Sequence, residues 1–155
     1  MLEKYLEQEK SIDAPVYLFH GSPKKLEKVI PQQSYDCEEN QINIAKAVFL
    51  FPSFLKATPY AFKDTIKSNS KDLKFYFNIP NGNTFPLMYM ENVNIDENMV
   101  GYVYVFKKDD SMVKDDEEGS YQYKCYRELM PIDVVEVCYK DYDKYYEVSN
   151  KKLKR

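Results

Sequence analysis

The sequence predicts an α+β fold with a largely antiparallel sheet, and three observations carry that reading. Segments of helical period fall early, at residues 1–10 and 52–70. The later half changes to strand-like runs at 73–79, 101–107, 121–127 and 132–140. No internal repeat and no long linker divides the 155 residues, a length that one core can serve. The expected unit is therefore 1–155, with 1–14 a helical extension and 141–155 a polar tail.

In chain order, Leu2, Tyr5 and Leu6 share one face of a short helix, and Ile12 completes its contact. Pro15 opens a strand over Val16 to Phe19. A turn and a brief segment then end at Pro31. Ala47 to Phe51 is a continuous apolar run, as expected of a strand buried on both faces. Ser53 is placed to N-cap the next helix, with Phe54, Ala57, Ala61 and Ile66 turned inward. Pro59 predicts a kink there, or a second start capped by Thr58. Asn81-Gly82 marks a turn between late strands. Residues 107–120 read as a charged, solvated loop, and the basic end of the chain as a solvated terminus.

Composition removes several function classes. The formal net charge is −3, so no global basic field holds a nucleic acid. No apolar run approaches the roughly 18 residues that span a membrane, and the charged N-terminus is no secretory signal. Cys37, Cys125 and Cys138 lack metal-ligand spacing, and with one histidine no metal site is expected. Reduced thiols point to the cytoplasm. There is no GxGxxG and no GxxxxGK[ST], and four glycines leave little room for a phosphate-cradling loop. Fifteen tyrosines and nine phenylalanines serve mostly as packing.

The single histidine, His20, stands where the apolar run Val16–Phe19 meets Gly21 and Ser22. Ser22 is too near it, on a turn, to favour a nucleophile–base pair. A lone histidine there is by itself an ordinary structural residue, and Tyr60 on an amphipathic helix is by itself core. The order of motifs adds to each. "FHGS" ends one strand, "AVFLF" follows about thirty residues later, and a helix then carries Ala57, Tyr60 and Ala61. Late in the chain comes "YQYKCYRELMPIDVVEV".

This series resembles the ADP-ribosyltransferase fold of the branch that includes the poly-ADP-ribose polymerases and diphtheria-type toxins. The resemblance covers roughly Val16 to Tyr139 and implies a split antiparallel sheet with a few short helices. It implies NAD as substrate and a glycosyltransferase reaction, whose oxocarbenium-like sugar asks for positioning and charge rather than covalent help. It places His20 on a ribose hydroxyl and the Gly21 backbone on the nicotinamide carboxamide, with Ser22 an auxiliary donor and Tyr60 a stacking ring. Phe49 or Phe51 is the candidate second ring. His20 and Tyr60 are expected to line one cleft, with the Gly21 backbone exposed between them.

The family's glutamate is where the sequence departs. Its place falls near Gln122, which keeps a hydrogen bond and loses the charge. Glu128 shares the parity of Gln122, and Glu117 and Glu118 lie in the charged loop. The reading is an ADP-ribosyltransferase-like protein that binds NAD and transfers a single ADP-ribose to a protein or nucleic-acid acceptor. His20, Tyr60 and Gln122 form its reacting site. The alternative is a catalytically silent nucleotide- or protein-binding module of the same fold. An RNA 2′-phosphotransferase relative is disfavoured, because only Lys24 and Lys25 stand near His20 in sequence to meet a phosphate.

Overall fold

The computed structural model describes residues 2–33, 46–70, 74–76, 88–91, 93–115, 122–149 and 152–153. The elements are α1 (Leu2–Glu7), β1 (Tyr17–Ser22), β2 (Gln32–Gln33), β3 (Lys46–Leu50), α2 (Phe54–Asn69), β4 (Lys74–Tyr76), β5 (Met88–Glu91) and β6 (Asn94–Ile95). They continue with β7 (Val100–Lys107), β8 (Val113–Lys114), β9 (Tyr123–Cys125), β10 (Asp133–Cys138), β11 (Tyr146–Ser149) and β12 (Lys152–Leu153). The arrangement is mixed α+β. Two antiparallel sheets, β1-β7-β10 and β2-β3-β9-β8, carry most of the pairing. β5 pairs with β4 antiparallel and with β11 parallel, and β6 pairs with β12 parallel. No helix among the described residues is long and apolar enough to cross a membrane.

Alternation along β1 divides the core in two. Phe19 faces a cluster with Phe54, Ala57, Ala61 and Phe62 of α2 and with Val103, Val105 and Val137. Leu18 faces a second cluster with Val48, Leu50, Tyr104, Phe106, Tyr123 and Cys125. The β1–β7 ladder is thus covered by α2 on one face and by β3 and β9 on the other.

α2 comes unusually close to that ladder. A Cβ on Gly21 would fall on the Ala57 carbonyl oxygen and lie 2.8 Å from the Ala61 nitrogen. A Cβ on Gly101, one strand over, would fall on the Ala61 carbonyl oxygen and lie 2.7 Å from the Ala61 Cβ. Both strands give up side chains so that the helix backbone can lie on them. For this reason His20, Gly21 and Ser22, expected at the mouth of a turn, continue the strand opposite Tyr104, Val103 and Tyr102. A glycine that reads locally as a turn signal serves here as a helix seat.

The helix also runs through Pro59 without a second start. Proline lacks the N–H that would bond the Leu55 carbonyl, and the Thr58 hydroxyl donates to that carbonyl instead at 2.8 Å. Ser53 caps as expected, accepting from the Lys56 N–H at 3.1 Å. Two other expectations change. The charged loop contains β8, which pairs with β9. Residues 141–149, expected as a polar tail, carry a short 3₁₀ turn and β11. Tyr146 there is buried, with its hydroxyl 2.7 Å from that of Thr58, so the aromatic residues of this polar stretch bring it into the core. The Asn81-Gly82 turn and Cys37 lie outside the described residues.

Candidate functional site

Among the described residues, one isolated backbone pair joins the edges of the two main sheets. Phe19 and Phe51 exchange both backbone hydrogen bonds, at 2.8 and 2.9 Å. In an antiparallel strand, residues two apart send their backbone groups to the same edge. Gly21 therefore sends its N–H and C=O to the edge that Phe19 uses for Phe51. The opposite strand agrees: Val105, across from Phe19, gives its carbonyl to the Ile132 N–H on the β10 side, and Val103, across from Gly21, has the same parity. Beyond Phe19–Phe51, no β1–β3 ladder continues among the described residues. The split opens there, at Gly21.

His20 spans the split. Its Nδ1 lies 2.8 Å from the Phe49 carbonyl oxygen. A carbonyl only accepts, so Nδ1 carries the hydrogen and the neutral ring keeps its lone pair on Nε2. Desolvation by burial lowers the imidazole pKa and outweighs the Phe49 hydrogen bond, which raises it, so the neutral ring is favoured. Either ring nitrogen looks equally available from the sequence; the fold uses Nδ1 and leaves Nε2 as an acceptor.

Tyr60 reaches the same edge from α2. Its Cβ lies 3.1 Å from the point where a Gly21 Cβ would stand. Its ring stacks on Phe51, with centroids 5.0 Å apart and planes 20° from parallel. Lys63 Nζ stands 5.6 Å from the Tyr60 centroid. His20 has the strand parity of Leu18, away from α2, whereas Tyr60 stands on the α2 side. What they share is the strand edge at Gly21 rather than one wall. Gly21 is itself buried, because α2 covers its Cα. Ser22 is 9 % exposed, and its Oγ accepts from the Lys24 N–H at 3.2 Å, closing the turn after the strand.

The face of β3 and β9 turned away from the second core continues this surface. Phe49 and Lys124 are cross-strand partners, and Lys124 Nζ lies 6.0 Å from the Phe49 ring centroid. Gln122 has the parity of Lys124. Its Nε2 donates to Asp115 Oδ2 at 3.0 Å, and Lys124 pairs with Asp115 Oδ1 at 3.1 Å. Asp115 follows β8, and its N–H bonds the Gln122 carbonyl at 2.9 Å. These side chains are nearly enclosed, Asp115 at 10 % and Lys124 at 13 % exposure.

The sequence pattern missed Asp115 and Lys124. Asp115 sits among other acidic residues of a polar stretch, where nothing distinguishes it locally. No local pattern marks β8, a two-residue strand in which Val113 and Lys114 are both exposed. Glu128 pairs with Lys28 at 3.2 Å on the surface, at 61 % exposure, and is spent there. Glu117 and Glu118 lie outside the described residues. Among the described residues no cluster of potential metal ligands forms. Comparison with protein-family models, with curated proteins and with solved structures finds no match.

Proposed function

We propose that this chain is an ADP-ribosyltransferase-like protein that binds NAD at the split edge of β1 and cleaves its bond to nicotinamide. One observation carries the reading: Gly21 turns an adjacent N–H and C=O to the edge where β1 and β3 part, with His20 on one side and Tyr60 on the other. A carboxamide offers an acceptor and donors in the complementary arrangement. Tyr60, braced by Phe51, offers a ring for the nicotinamide. His20 Nε2, an acceptor, suits a ribose hydroxyl and not an anion.

In the reaction the bond between the ribose anomeric carbon and the pyridinium nitrogen breaks. The electron pair leaves with nicotinamide, which becomes neutral. Water, or an acceptor on protein or nucleic acid, adds to the carbon and gives up a proton to solvent. A second reading, a module that holds the nucleotide without turnover, draws on Gln122, which supplies no charge at the place where the family has glutamate.

Calorimetry with NAD and detection of released nicotinamide test both readings. The expected affinity is micromolar to millimolar, about −4 to −8 kcal/mol, and His20→Ala weakens it. Binding without nicotinamide release selects the silent module. Absence of any binding by the folded protein overturns the proposal.

A further inference from the structure

We infer that the carboxylate of this site is Asp115, held in place by Gln122 and Lys124; the inference rests on the NAD reading above. A sugar cation forming at the anomeric carbon is stabilised by a fixed negative charge whose position is set beforehand. Gln122 has none. Its amide nonetheless donates to a carboxylate 3.0 Å away, so a negative charge stands one hydrogen bond from the family's glutamate position.

That carboxylate is positioned from several directions. Gln122 Nε2 holds Oδ2, Lys124 Nζ holds Oδ1, and the Asp115 N–H bonds the Gln122 carbonyl. The β8–β9 pairing fixes the two backbones. Lys124 in turn stands beside the Phe49 ring, and the Phe49 carbonyl takes the His20 imidazole. A chain of named contacts thus runs from Asp115 to the Gly21 edge. At 10 % exposure the carboxylate is mostly withdrawn from water, where a charge acts with less screening. Lys124 offsets part of that field, so turnover is slow and Asp115 is worth less than an uncompensated glutamate.

This placement decides what a second carboxylate at position 122 does. In Gln122→Glu alone, two carboxylates would meet at hydrogen-bond distance and share one proton. The single variant is therefore impaired, not improved. Combined with Asp115→Asn, the same change restores one carboxylate and one amide with their roles exchanged.

The test compares wild type, Asp115→Asn, Gln122→Glu and the double exchange, each checked for fold by circular dichroism and thermal unfolding. Nicotinamide release is followed at saturating NAD, and NAD affinity is measured separately. Asp115→Asn is expected to lower kcat by roughly ten- to a hundredfold, with NAD affinity within about twofold. The double exchange recovers most of kcat with an unchanged thermal midpoint, whereas for a purely structural clip kcat would follow the thermal midpoint across the variants. A folded Asp115→Asn that turns NAD over like wild type overturns Asp115 and leaves the NAD reading standing. NAD binding with no turnover by wild type also overturns Asp115, while binding stands. No NAD binding by wild type overturns both.

Discussion

Two polar regions flank α2, and they differ in how much hydrogen-bonding capacity remains among the described residues. At the base of the helix, Gln8 uses its whole amide. Its Nε2 donates to the Tyr17 and Pro52 carbonyls at 2.8 and 2.6 Å, and its Oε1 accepts the Val16 and Tyr17 N–H groups, both at 2.9 Å. Glu9 accepts from the Ser53 hydroxyl at 2.7 Å and the Leu55 N–H at 3.0 Å. One turn further along the helix, the Gly21 edge directs an N–H and a C=O into the split, and His20 Nε2 makes no hydrogen bond to a described residue. A saturated polar cluster is structure. Capacity left over where two sheets part is where a ligand's polar groups fit.

The largest expected effect separates the helix seat from any ligand role. Gly21→Ala and Gly101→Ala each force α2 away from the sheet and are expected to destabilise the fold by about 3 kcal/mol. Both clash with α2, though only Gly21 borders the split. Urea unfolding measures this, and a Gly101→Ala protein as stable as wild type would show that the helix can shift freely.

Gln8→Ala comes next. It leaves the Val16 and Tyr17 N–H groups without their acceptor, at a cost of about 2 kcal/mol. NAD affinity at a temperature where the variant is folded should stay at the wild-type value. Loss of affinity in the folded variant would erase the distinction between the two regions.

Tyr60→Ala should weaken NAD binding by about 1–3 kcal/mol, whereas Tyr60→Phe, which keeps the ring on Phe51, changes it little. Equal calorimetric affinity for wild type and Tyr60→Ala removes Tyr60 from the site.

The smallest effects have opposite signs in the two regions. Desolvation lowers the pKa of His20 below its ordinary 6.5, so the unfolded chain takes up that proton first. Stability is fully present above 6.5 and is lost as pH falls through the window below it. Desolvation raises Glu9 above its ordinary 4.5, against the hydrogen bonds from Leu55 and Ser53 and the charge of Lys56. Its contribution is fully present below 4.5 and is lost as pH rises through the window above it. Denaturation midpoints against pH for His20→Gln and Glu9→Gln should each lose one of these slopes. A slope unchanged in both variants would assign it to other groups.

Part of this was legible before any fold. Helical period gave α1 and α2, and Ser53 announced the cap because an N-cap is a local device. Apolar runs marked β1, β3, β7, β9 and β10, because period-two burial needs only neighbours in sequence. Those same runs put His20, Gly21, Tyr60 and Gln122 in order along the chain. The two-residue strands β2, β6, β8 and β12 were not legible, since so short a run carries no period and only its partner defines it.

What the sequence determined by itself, then, is an α+β chain whose single histidine stands beside a glycine at the end of an apolar run. Tertiary structure alone decided that Gly21 lies in a strand under α2, that Pro59 is carried through by Thr58, and that His20 uses Nδ1 on Phe49. It also brought Asp115 to Gln122 across the β8–β9 pairing. The physical reason is the same in each case. Helical period and caps are set by residues a few positions apart, whereas a close approach, a rescued carbonyl or a held carboxylate needs a partner that only the folded backbone can place.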